Sequence, residues 1–211
     1  MISVDIEKKL KTYKGRQVLK IEHQFPGAGI TKIYGPSGAG KTTFLKMIAG
    51  FIQPEKGKIV VDGITWVDTE AGILLPPQKR LAGFVFQDYA LFPNMTVRKH
   101  LEYATTDQAW IKRLLALGKL ETLADHKPVH LSGGQQQRLA ILRALAIKPK
   151  LILMDEPFSA LDPEMKTTLL KELKNLFDEL ATTVLIVSHN LPELESLNGD
   201  TFNIDLDLAT A

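Results

Sequence analysis

The sequence predicts an α/β fold with a mainly parallel core sheet, an N-terminal antiparallel β subdomain and a helical insertion. Three observations carry this. Leu151–Met154 and Val184–Val187 are short all-apolar runs on either side of a long amphipathic helix, the pattern of parallel strands covered on both faces. A glycine-rich run, Gly35 to Gly40, sits between a strand-like and a helix-like segment. Near the N-terminus, Ile2, Val4 and Ile6 alternate as in a half-buried strand, in a segment that turns at Lys14–Gly15. A length of 211 residues suits one domain spanning 1–211.

The elements follow in order. Residues 1–25 read as strands around the Lys14–Gly15 turn, and residues 30–34 as a strand running into the glycines. A helix carrying Phe44, Leu45, Met47 and Ile48 stops at Gly50. Pro54 and Gly57 mark turns before a strand at Lys58–Val61, and Gly83–Phe86 is another short buried strand. Residues 96–147 read as mostly helical, with breaks near Gly118 and at Lys127–Pro128. Strand 151–154 precedes a helix with Asp162 as N-cap and Pro163 at its first position. Leu169, Leu170, Leu173, Leu176, Phe177 and Leu180 form its apolar stripe. After strand 184–187, Phe202, Ile204, Leu206 and Leu208 alternate as in a half-buried strand.

Composition excludes several classes. With 45 % hydrophobic and 24 % charged residues the chain is neither disordered nor fibrous. A net charge of +2 gives no support for nucleic-acid binding. The absence of cysteine excludes disulfides and thiolate metal sites, and is compatible with a reducing compartment. The N-terminus lacks the apolar stretch of a signal peptide. Apolar runs such as Leu151–Met154 fall far short of the roughly 20 residues that a membrane span needs.

Gly35-Pro36-Ser37-Gly38-Ala39-Gly40-Lys41-Thr42 fits G-x-x-x-x-G-K-[ST], the Walker A pattern, between a strand and a helix as that pattern requires. Glycines let successive N–H groups converge on one anion, and the helix N-terminus adds partial positive charge. Lys41 is expected on the β- and γ-phosphates of a nucleoside triphosphate, and the Thr42 hydroxyl on Mg²⁺; Thr43 extends the loop. Asp155 and Glu156 follow the apolar strand 151–154, at the strand end where parallel sheets bind ligands. Neighbouring side chains on an extended chain point apart. Asp155 is therefore expected to hold Mg²⁺, and Glu156 to polarise the attacking water.

Leu131-Ser132-Gly133-Gly134-Gln135-Gln136-Gln137-Arg138 begins a helix, with Ser132 as N-cap and Gln135 three residues on, as in a capping box. Two glycines weaken a helix start unless the backbone must approach something. This segment resembles the LSGGQ signature of the ATP-binding-cassette (ABC) family. The family's other motifs are present in order. Tyr13 matches the aromatic that stacks on adenine, and Gln87 the glutamine that contacts metal and water. Ser159–Asp162 matches the loop that communicates across the dimer, and His189 the switch histidine.

The resemblance implies a P-loop NTPase of the ABC type with ATP and Mg²⁺ as ligands. It implies a head-to-tail homodimer in which each ATP lies on one chain's Gly35–Thr42 loop, facing the partner's Ser132, Gly133, Gly134 and Gln135. Glu156 would be the general base, and Lys41, Gln87 and His189 would assist. The metal set would be Thr42, Gln87 and Asp155. Residues 88–103 match the region that grips a membrane permease, so the chain is expected at the cytoplasmic face of the inner membrane, as a peripheral subunit served indirectly by a solute-binding protein. Asp88–Pro93 is similar to importer cassettes, and Gly29–Thr43 with Glu70–Arg80 to molybdate-importer ATPases. The alternatives are another cargo (sulfate, an amino acid, a metal) or a soluble non-transport ATPase of the same superfamily. An unrelated P-loop kinase would not need residues 131–135. Molybdate cassettes commonly add a C-terminal β-rich anion-sensing domain, and none is expected within a sequence that runs to Ala211.

Overall fold

The computed structural model describes residues 1–12 and 15–204. β1 (Ile2–Thr12) and β2 (Gly15–Phe25) form the antiparallel pair expected around residue 14, with Ile2 opposite Phe25 and Thr12 opposite Gly15. β4 (Lys56–Val61) pairs with the other edge of β1. The sequence reading assigns no strand between Val61 and Gly83. The structure has two, β5 (Ile64–Asp68) and β6 (Ile73–Leu74), which complete a five-stranded sheet in the order β2-β1-β4-β5-β6. Asp62 (φ +48°) and Gly63 (φ +80°) make the β4–β5 turn, the backbone that a two-residue hairpin requires.

A second sheet is wholly parallel. β3 (Ile30–Tyr34), β7 (Ala82–Val85), β8 (Leu151–Asp155), β9 (Thr183–Val187) and β10 (Asp200–Asn203) lie in the order β10-β3-β9-β8-β7. Phe202 lies in β10; the alternation expected to continue through Leu206 and Leu208 falls outside the described residues. All residues of β8 and β9 are buried, for a simple reason. Leu151, Leu153, Leu185 and Val187 face a core shared with the antiparallel sheet and α1 (Lys41–Ala49). Ile152, Met154, Val184 and Ile186 face the opposite core. That second core also takes residues of α2 (Val97–Glu102), α3 (Gln108–Leu117), α4 (Gly133–Leu145) and α5 (Pro163–Leu180). Two cores on two faces of one strand turn the period-two alternation into a continuous apolar run.

The helical stretch expected at 96–147 is α2, α3 and α4 joined by two 3-10 turns, Glu121–Leu123 and Pro128–His130. Asp162 caps α5 by accepting a hydrogen bond from the Met165 N–H at 2.9 Å, with Pro163 at the first position as expected. Among the described residues no helix is long and apolar enough to cross a membrane.

The loop after β7 is pinned from two helices. Arg143 of α4 donates to the carbonyls of Ala90 (2.6 Å) and Tyr89 (3.1 Å), residues held at φ +46° and +64°. His100 of α2, fully buried, accepts the Phe92 N–H on Nε2 at 2.9 Å, so its proton lies on Nδ1 and bonds the Thr96 carbonyl at 2.8 Å. Burial lowers the His100 pKa, and the Arg143 charge lowers it further against the pull of the Thr96 carbonyl. A lowered imidazole pKa means that the folded state binds fewer protons than the unfolded state near pH 6, so stability rises with pH there. Stability is therefore expected to fall as pH drops below the ordinary histidine value of about 6.5. His100→Asn should flatten that part of the melting-temperature profile; an unchanged slope would assign the acid sensitivity elsewhere.

Candidate functional site

β3 delivers the chain to Gly35, whose backbone (φ +151°) brings it against the Ile204 carbonyl, where a Cβ would collide. Gly40 (φ +88°) caps α1 without any side-chain bond to the first turn, and no acidic residue occupies that turn. The helix therefore presents an uncompensated positive end to the loop. Lys41, 5 % exposed, folds back to donate to the carbonyls of Gly35 (2.8 Å) and Pro36 (2.9 Å). Burial lowers its pKa, partly offset by the Glu156 and Asp155 carboxylates. An ammonium held by neutral carbonyls beside two acids is a cation waiting for a stronger anion.

The ends of β8 and β9 converge on this loop. A cleft of ≈ 390 Å³ is lined by Ser37 through Thr43, Gln87, Glu156, Val187 and His189, with Leu10 and Lys11 of β1 along one wall. Glu156 leaves the strand at φ +52°, its N–H bonded to the Val187 carbonyl at 3.0 Å. This left-handed step parts its carboxylate from that of Asp155. His189 Nε2 lies 2.7 Å from Glu156 Oε1. Burial raises the Glu156 pKa, with His189 pulling down and Asp155 pushing up, which suits a base that must accept a proton near neutrality. Ser188 and Lys166 both bond Glu193, at 2.7 Å each, fixing the residue before His189 to α5.

Thr42, Gln87 and Asp155 line an adjoining cleft of ≈ 470 Å³. Asp155 is 2 % exposed, and its Oδ1 has no hydrogen-bond partner. Burial raises its pKa, against the influence first of the Thr42 side chain and then of Lys46 and Lys41. A buried carboxylate oxygen without a donor, beside a threonine hydroxyl, fits a hard divalent cation that takes one or two protein oxygens and fills its shell with water and phosphate.

The signature segment lies elsewhere. Ser132 and Gly133 are exposed, and none of Ser132, Gly133, Gly134, Gln135 and Asp162 lines the nucleotide-loop cleft. The capping box expected there is present: the Ser132 N–H bonds Gln135 Oε1 at 2.8 Å, and Ser132 Oγ accepts the Gln135 N–H. Tyr13 lies outside the described residues. Gln137 was missed by sequence reasoning. It is 1 % exposed and bonds the loop after Glu156. A polar residue at the buried spacing 137, 140, 141, 144 was the available signal. In the 88–103 region, Phe92 and Tyr103 are exposed and border an apolar groove of ≈ 380 Å³ with Phe84, Phe86 and Ile147.

Comparison with known proteins gives a consistent picture. The family model described as "ABC transporter" matches residues 19–159. The Molybdenum import ATP-binding protein ModC of Photorhabdus laumondii is 41 % identical over 207 residues, covering 97 % of this chain and 57 % of that protein. ModC of Escherichia coli K12 is 45 % identical over 184 residues, covering 85 % and 52 %. The chain spans about half the length of the curated relatives it matches. Among solved structures, the dimeric post-hydrolysis state of the ATP-binding cassette MJ0796 bound to ADP and Pi superposes with a TM-score of 0.82 at 31 % identity, covering 97 % of this chain and 94 % of that one. A second dimeric structure of MJ0796, described as a bacterial ABC transporter cassette, gives 0.81 at 32 % identity.

Proposed function

This chain belongs to the ABC transporter family, and from that premise we propose that it is the ATP-hydrolysing subunit of an importer that moves molybdate or a related oxyanion through a separate membrane permease. The observation that carries the reading is a divided site. Phosphate loop, Glu156 and His189 meet in one cleft and Asp155 lines the adjoining one, while the signature turn stands exposed and apart from both. A second copy, placed head to tail, supplies the missing wall, and two-fold symmetry makes both sites equivalent. The MJ0796 cassettes are described as dimeric, which supports pairing of two copies. The cargo rests on similarity to the ModC relatives. The exposed aromatic groove by residues 88–103 supports docking of a permease helix. The chain then acts as a single cassette, with residues 96–147 as its helical part, peripheral to the cytoplasmic face of the inner membrane, with a solute-binding protein feeding the permease.

In this reading the loop N–H groups and Lys41 bind the phosphates of ATP, and Lys41 exchanges its carbonyl partners for phosphate oxygens. Tyr13 stacks on adenine. Thr42, Asp155 and Gln87 hold Mg²⁺, which neutralises the phosphate oxygens when bound. Glu156 takes the proton of the attacking water as the bond from the γ-phosphorus to the β-phosphate oxygen breaks. His189, already on Glu156, orients that carboxylate and reaches toward the γ-phosphate. Asp162 and the Ser132–Gln135 turn face the partner's nucleotide.

Two substitutions at Ser132 test the reading. Ser132→Asn keeps an N-cap oxygen, whereas Ser132→Arg loses the cap, about 1 kcal/mol, and fills the space a partner's phosphate needs. The arginine variant should bind MgATP yet fail to dimerise on it and fail to support molybdate uptake by cells; the asparagine variant should do better on both counts. ATP-driven dimerisation and uptake by Ser132→Arg at wild-type levels would defeat the proposal. Lost dimerisation with no effect on uptake of any oxyanion would retain the ATPase and remove the cargo.

A further inference from the structure

Gln137 is the polar side chain that the mechanism above leaves unused. It lies in α4 two residues beyond the signature turn, on the buried face. Its amide is spent on one neighbouring segment. Nε2 donates to the Glu156 carbonyl at 3.1 Å and to Ser159 Oγ at 3.2 Å, and Oε1 accepts the Ala160 N–H at 2.9 Å. Ser159 Oγ also lies 3.3 Å from the Glu156 carbonyl, closing a ring of bonds. The packing is equally close. A Cβ on Gly134 would stand 3.1 Å from the Ala160 carbonyl oxygen, so the signature turn and the Ser159–Leu161 loop have no slack between them. An apolar side chain of this size would fill the same space without burying an amide, so the group earns its place through the bonds.

Those bonds join two parts that serve different nucleotides in the proposed dimer. The signature turn contacts the partner's ATP, whereas Glu156 acts on its own chain's ATP. We propose that Gln137 is a positioning residue that couples the two ATP sites: engagement of the signature turn on the partner's nucleotide sets, through the Gln137 amide, the backbone from which the Glu156 carboxylate projects. This rests on the head-to-tail dimer proposed above. A contiguous hydrogen-bonded network between the two parts is the kind of element that carries such coupling.

The test uses the full chain with MgATP and separates three readouts. In Gln137→Leu, MgATP binding to the monomer and MgATP-driven dimerisation, the latter measured in a Glu156→Gln background, should stay within about twofold of the parent, since neither phosphate loop nor signature surface is altered. The wild-type rate should rise cooperatively with ATP. In the variant kcat should fall about tenfold, less than the loss of a whole general base would cost, and the Hill coefficient should drop toward one with KM little changed. Gln137→Glu keeps an acceptor for the Ala160 N–H but cannot donate to the Glu156 carbonyl, so it should show the same loss. It also serves should the leucine variant fold poorly. Exposed Ser159, changed to alanine, should give a smaller loss of the same kind. A non-cooperative wild-type curve, a variant that keeps both rate and cooperativity, or a rate loss matched by weaker dimerisation would each overturn the coupling role. If Glu156→Gln alone forms no MgATP dimer, the dimer itself is lost, and that failure belongs to the functional reading rather than to Gln137.

Discussion

Glu156→Gln is expected to abolish ATP turnover while holding the chain in an ATP-bound dimer. The substitution keeps the shape of the side chain and an oxygen that can still receive the His189 Nε2–H, now 2.7 Å from Oε1. The left-handed backbone at φ +52° is no worse for glutamine than for glutamate, so the fold is unaffected. What disappears is the proposed base. Loss of a positioned general base costs roughly 10²–10⁴-fold in rate. Binding should improve, because a half-buried carboxylate next to Asp155, already driven toward its neutral form by desolvation, becomes neutral outright beside the incoming phosphates. Gel filtration with MgATP should move the variant to the dimer position, and phosphate release should fall to background. With MgADP it should stay monomeric. Turnover near the wild-type rate would remove Glu156 from its role, and the acidic pair would then need a different division of labour.

How much of this was legible in the sequence follows from how local each feature is. The nucleotide loop, the capping box at Ser132 and the Asp162 cap each close within a few residues, so spacing alone reveals them. The strands β8 and β9 were readable because a two-faced core forces an unbroken apolar run. The Asp62–Gly63 pair carried a hairpin signal for β5, whereas β6, two residues with both side chains exposed, carries no pattern at all. The pairing of His189 with Glu156 joins the ends of two strands separated by α5, and only the sheet order makes them neighbours. The same holds for Gln137, whose partners lie 19 to 23 residues away. The resemblance to a known family supplied roles for Gln87 and His189 that no local argument provides.

Arg80→Ala is expected to destabilise the chain by about 3–5 kcal/mol, since it strips the donor from three carbonyls at about 1–3 kcal/mol each. Nothing in the sequence singles Arg80 out from other cations, yet it is 2 % exposed. Its Nη1 donates to the carbonyls of Met47 (2.9 Å) and Ile48 (2.7 Å) at the end of α1, and its Nε donates to the Leu75 carbonyl at 2.8 Å, just past β6. The guanidinium lies against the Trp66 ring at 5.6 Å and so close to Gly50 that a Cβ there would come within 2.7 Å of Cζ. Burial opposes this arrangement, drawing the Arg80 pKa down to about 10, a cost of roughly 3 kcal/mol. Three bonds from a charged donor contribute about 1.5–3 kcal/mol each, and the negative end of the α1 dipole adds to them, so the bonds win. Lysine cannot replace this fork, since one ammonium cannot match its fixed geometry, and methionine would fill the volume while leaving three carbonyls without donors. Both should fall well short of wild type in urea midpoint. For a chain of this size a 3–5 kcal/mol loss lowers the melting temperature by about 10 °C. The consequence reaches the site, because α1 carries Lys41 and Thr42 at its other end, and Arg80 ties that helix to the hairpin of the antiparallel sheet. Excess MgATP should therefore restore part of the lost melting temperature through its preference for the folded chain. An Arg80→Ala chain as stable as wild type without nucleotide would show that the α1 carbonyls find other donors.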